Sequence, residues 1–249
     1  MRGVVLWERT VVPGPARTRI LPDGCLDLIW DGSGLVVAGP DAAARWHDSP
    51  VGSSYTALRF HLGTGPAALG VPAFEVAGQS PPLEDVWPAA AARMLSERVA
   101  EDPAGALTGW AAAAAGRGQV DPVGPRVHAM AGRRTPVTQM ADRLGLSDRQ
   151  LRRRCLAVFG YGPRRLARIL RMTRALEEAR FGLRLAEVAA TCGYADQAHL
   201  CRELLALGGA TPTSLLAELT GQRSEQVDGI AVGVMHDGVA HSPEGVPRR

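Results

Sequence analysis

Two short sets of polar side chains carry the chemistry of this sequence. The first is Arg149, Arg152 and Arg153, and the second is Gln197, His199 and Arg202. An arginine can fork two hydrogen bonds onto guanine O6 and N7, and a glutamine can do the same on adenine, each such pair giving about 1–3 kcal/mol of discrimination. Histidine is a more ambiguous reader, and His199 is open to base contact, phosphate contact or simple exposure. Arginines of this kind also suit a solvated basic face. Their setting, after a helix, a glycine bend and an N-cap, argues for groove contact.

The elements that must position them repeat one plan. Pro136 opens an apolar-faced helix carrying Val137, Met140, Ala141 and Leu144. Gly145 ends it, and Ser147 caps a second helix over 148–159 whose Leu151, Cys155, Val158 and Phe159 turn inward. Further on, Leu185, Val188, Ala189 and Cys192 precede the bend Gly193-Tyr194, and Asp196 caps a helix over 196–207 with Leu200 and Leu204 inward. Both units have the form of a helix-turn-helix. Between them 163–180 reads as a single helix of about 27 Å, close to the roughly 34 Å turn of B-DNA.

With these residues in view, the run Leu146-Ser147, Arg149, Leu151, Arg153, Gly160, Pro163, Arg171, Ala175, Leu176 resembles the first half of an AraC/XylS-type DNA-binding domain. The run Leu185, Val188-Ala189, Gly193-Tyr194, Asp196, Leu200, Arg202, Leu204, Gly209, Pro212 resembles its second half. The resemblance implies an all-α seven-helix domain that binds double-stranded promoter DNA and recruits or blocks RNA polymerase. It also implies DNA contact by Arg149, Arg152, Arg153, Gln197, His199 and Arg202. Cys155, Leu200 and Leu204 stand where that family usually has larger, aromatic groups, which predicts looser packing. Ala198 offers the groove no polar group.

Charge concentrates in the same stretch. All 28 basic residues are Arg, and the net charge is only +3. Between Arg133 and Phe181 thirteen Arg face Asp142, Asp148, Glu177 and Glu178, an excess of nine positive charges. Such asymmetry makes phosphate binding steeply salt-dependent.

The first half reads as strands Val4 to Trp7, Thr18 to Leu21, Cys25 to Trp30, Leu35 to Ala38 and Tyr55 to Leu62, then helices near 67–69, 87–100 and 104–115. The whole is therefore an α+β chain: a small N-terminal β-sheet or barrel with helices, then an all-α domain with two helix-turn-helix units. The expected divisions are a sensing or dimerisation domain at 1–115 (strands 1–62, helices 66–115), a linker at 116–126, a DNA-binding domain at 127–221 and a flexible tail at 222–249. The run Leu21 to Trp30 followed by Ala38-Gly39-Pro40 resembles the uncharacterised N-terminal domain of many actinobacterial AraC-type regulators. That resemblance implies sensing or dimerisation, so a small-molecule effector and a homodimer are expected partners.

Asp27, Trp30, Arg59 and His61 can line a pocket, but Asp27 and Arg59 as paired structural charges and Trp30 as core is the favoured reading. A metal site from Cys25, His47 and His61 lacks ligand spacing, and neither metal nor cofactor is expected. An alkyl-acceptor enzyme using Cys25 needs a basic neighbour, whereas Asp23 and Asp27 adjoin it. The other alternative is an architectural module that no longer reads sequence. Neither a membrane-length apolar run nor an export leader is evident, so a cytoplasmic, membrane-free protein with reduced cysteines is expected.

Overall fold

The computed structural model describes residues 3–13, 17–114 and 120–224. Strands β1 (Val4–Thr10), β3 (Leu26–Trp30), β4 (Leu35–Ala38) and β6 (Ser54–Phe60) form an antiparallel sheet in the order β1-β6-β3-β4. Strands β2 (Arg17–Ile20) and β5 (Arg45–Asp48) form a separate antiparallel pair. In register, Leu28 lies opposite Leu58, and Asp27 opposite Arg59. One face of the sheet is thus aliphatic while the other carries an ion pair. Helices α1 (Gly65–Leu69), α2 (Ala73–Val76), α3 (Leu83–Val86), α4 (Ala89–Glu101) and α5 (Pro103–Ala114) follow. Trp110 of α5 meets Phe60 edge-on, with centroids 6.1 Å apart, and Leu28, Leu58 and Leu107 fill the same core.

Seven helices succeed them: α6 (Val123–Gly132), α7 (Val137–Leu144), α8 (Asp148–Phe159), α9 (Pro163–Arg180), α10 (Leu185–Cys192), α11 (Gln197–Gly208) and α12 (Pro212–Ser224). They enclose two cores, and α9 belongs to both. Its Leu166 and Ile169 join Met140, Leu151 and Cys155 in one. One turn later Met172, Ala175 and Leu176 join Val188, Leu200 and Leu204 in the other. Leu166, Ile169 and Met172 are completely buried, each contributing about 1.5–3 kcal/mol by removal from water.

The differences from expectation have local causes. Strand β5 was not foreseen, because Arg-Trp-His-Asp is too polar to alternate, and it forms by pairing with β2. Pro88 caps α4, so Trp87 ends α3 instead of opening the longer helix. Helix α6 begins at Val123, inside the stretch expected as linker, where the Asp121 carboxylate accepts the Val123 N–H at 2.9 Å. Pro136 stands just before α7 with extended backbone, instead of within its first turn. Helix α12 runs three residues beyond the expected boundary at 221. Residue 115, residues 116–119 of the linker and 225–249 of the tail lie outside the described residues.

Candidate nucleic-acid interface

Both bends are built alike. Gly145 and Gly193 adopt left-handed backbone (φ 63° and 74°), a conformation that a side chain would strain, and their N–H groups close the preceding helices α7 and α10. Helix α8 then opens on a capping box: the Gln150 N–H donates to Ser147 Oγ at 3.3 Å, and the Ser147 N–H donates to Gln150 Oε1 at 2.8 Å. Helix α11 opens on Asp196, whose Oδ1 accepts the His199 N–H at 2.6 Å.

These caps fix which side chains face outward. On α8, Leu151, Cys155, Val158 and Phe159 are buried and Arg149, Arg152 and Arg153 are exposed. On α11, Leu200 and Leu204 are buried and Gln197 and Arg202 are exposed. Arg149, Arg152, Arg153 and Arg202 have no ion-pair partner among the described residues. Their neighbour Arg154 faces Asp121 at 3.7 Å. His199 differs from the rest. It is half-buried, its Nδ1 accepts the Ala195 N–H at 3.2 Å, and its ring meets Tyr194 edge-on at 5.3 Å. Its proton therefore sits on Nε2, the ring atom left for an outside partner.

One functional group escaped the sequence reading. Glu203, buried on α11, accepts from Arg168 Nε at 3.1 Å and from Arg171, both on α9, and the Arg171 guanidinium lies 4.5 Å over the Tyr194 ring. Charge-assisted bonds of this kind hold the second helix-turn-helix to the spacer. The available signal was an acid at a core-facing position, one turn from Leu200 and Leu207.

A second feature lies where the β2/β5 side of the N-terminal region faces α9 and α12. A cavity of about 940 Å³ opens there, lined among others by Trp7, Arg19, Asp27, Arg59, Met172 and Glu218. Arg59 binds Asp27 through Nε (3.0 Å) and Nη2 (2.9 Å), and Asp23 through Nη1 (3.0 Å). Asp27 and Arg59 are thus both a structural pair and a wall of the cavity. The other two grouped with them go elsewhere: Trp30 packs on the N-terminal core, and the His61 ring lies 6.3 Å from that of His128. Cys25 also lines the cavity. Burial first, and Asp23 next, push its thiol up to about 12, against the opposing pull of Arg59.

Among the described residues, no three His, Cys, Asp or Glu side chains converge as a metal site, and no helix is long and apolar enough to cross a membrane.

Residues 140–218 match a family model described as a helix-turn-helix domain. Over these residues the chain is similar to the helix-turn-helix domains of that family. The match begins inside α7, ends inside α12 and so takes in both bends, the outward polar residues of α8 and α11 and the whole spacer. No curated protein matches the chain. Among solved structures the chain is similar to ToxT from Vibrio cholerae O395, with 10% identity, 88% of this chain and 95% of that one covered, and a TM-score of 0.44. A 1.65 Å structure of Vibrio cholerae ToxT gives 10% identity, 89% and 97% coverage and a TM-score of 0.44. The unsaturated fatty acid bound ToxT of strain SCE256 gives 11% identity, 88% and 95% coverage and a TM-score of 0.44.

Proposed function

We propose that this protein is a sequence-specific transcription regulator whose helices α8 and α11 read two adjacent segments of major groove. The observation that carries this is the pairing of exposed arginines lacking ion-pair partners with buried faces that share one spacer helix. Arg149, Arg152, Arg153, Gln197 and Arg202 supply base and phosphate contacts, and His199 offers Nε2 alone. On this reading 1–115 is a sensing or dimerisation domain and 127–221 the reading domain. A small molecule held in the cavity between them would touch the spacer α9 directly. Promoter DNA places the protein in the cytoplasm, with RNA polymerase as its partner there, and the length of the protected footprint tells one copy from two.

Selection of bound duplexes from a random pool, followed by titration, tests the reading. Arg153→Ala or Arg202→Ala should weaken binding to the selected site by more than about 1 kcal/mol, and affinity should fall steeply with salt. Equal affinity of parent and variants would refute it, and random duplex competing as well as the selected site would leave an architectural module. The alkyl-acceptor alternative is opposed by a Cys25 thiol held protonated.

A further inference from the structure

The two reading helices end on the N-terminal region, and each ending is a specific contact. At α8 the contact is steric. A Cβ on Gly160 would lie 2.7 Å from Pro40 Cγ and 3.1 Å from Ala77 Cβ, and one on Gly63 would lie 2.9 Å from Val158 Cγ1. Leu62, at the end of the sheet's sequence, is buried in the core of α6 to α9 and not in the sheet's own core.

At α11 the contact is polar. The last carbonyls of a helix have no partner within it. Here the Leu207 carbonyl accepts the Ala44 N–H at 2.6 Å, and the Gly208 carbonyl accepts Arg19 Nη1 at 3.1 Å. The same guanidinium donates from Nε to Glu218 of α12 at 2.9 Å and stacks on Trp46 of β5 at 4.3 Å. Arg19 is itself nearly buried, with 9% of its side chain exposed. A cation at the negative end of a helix adds attraction to these hydrogen bonds.

We infer that the N-terminal region is a brace that sets the separation of the two reading helices, with Arg19 as the positioning residue for α11. The inference rests on the DNA-reading function proposed above. A domain joined only by a linker leaves that separation to α9 alone. Here α9 fixes the starts of both units, through its two cores and through Glu203, while the N-terminal region fixes the far ends of α8 and α11. The base-pair spacing between the two DNA segments is then selected partly by residues that never touch DNA.

The test titrates the full chain against two kinds of duplex. One set carries both selected segments at separations varied around the preferred one, and the other carries the α8 segment alone. The parent should prefer one separation by about tenfold or more. Arg19→Gln should flatten that preference to about threefold or less while keeping affinity for the α8-only duplex within about twofold of parent. Glu218→Gln, which weakens the same brace from α12, should flatten it to a smaller degree and serves if Arg19→Gln fails to fold. Arg98→Gln removes the same charge from an exposed site on α4 and should behave as parent. An unchanged separation preference in both brace variants overturns the inference. So does equal weakening on both kinds of duplex, because Arg19 would then act through net charge or folding. A parent that selects no segment at all defeats the DNA-reading function itself, and that failure appears in the unaltered chain.

Discussion

Cys25 shows how a residue's surroundings decide its chemistry. Its neighbours in sequence are acids, and the fold adds Arg59 across the strand pair, the one group that would favour a thiolate. Burial and Asp23 outweigh that cation, and Arg59 is already held by Asp23 and Asp27. The expected outcome is that Cys25 reacts with a thiol-specific reagent at pH 8 at least about tenfold more slowly in the folded chain than after denaturation. Peptide mapping of the labelled site measures it, and fast labelling of Cys25 in the folded protein would refute it. Cys155, pushed to about 12 chiefly by burial within the α6 to α9 core, is silent for the same reason. Arg149, Arg152 and Arg153 of α8 behave oppositely: having no acid partner among the described residues, they keep their field for an outside anion.

At the scale of elements, α8 and α11 are each defined by their cap more than by their propensity. Helix α8 carries six polar residues in two runs of three on either side of Leu151 and would fray at its start without Ser147 and Gln150. Ser147→Ala should therefore lower stability by about 1 kcal/mol, and Ser147→Gly by less, measured by urea unfolding. An unchanged unfolding midpoint in Ser147→Ala would contradict the role of the cap. This cap was visible in sequence as a Ser just before the inward apolar spacing, as was Asp196 before α11. Strand β5 was not, because its pattern has no apolar alternation and its formation depends on β2 lying beside it. The short helices α2 and α3 escaped for a related reason: four residues are less than the spacing needed to reveal a helical period.

The whole molecule adds contacts that no single element contains. The His61 and His128 rings face each other across the boundary between the N-terminal region and α6, and burial together with the His61 charge holds His128 below the usual imidazole range. Its folded-state pKa is depressed, so the unfolded chain binds the proton more readily. The stability this neutral histidine allows is present above about pH 6.5, the usual imidazole value, and is lost as pH falls through and below it. The unfolding temperature should drop between pH 7.5 and 5, and His128→Gln should make that drop shallower. An acid limb identical in parent and variant would rule the pair out as its source.

The sequence by itself determined the two helix-turn-helix units, the spacer and the outward arginines, because those follow from local rules: apolar spacing, capping residues and glycine at a bend. It also showed where strand character lies in the first half. Only the tertiary structure decided what Glu203, Arg19, Leu62 and Arg59 do, since each acts through a partner at least 30 residues away, and no periodicity encodes which distant side chain will arrive. Local chemistry writes α8 and α11, and long-range packing sets where their ends are held.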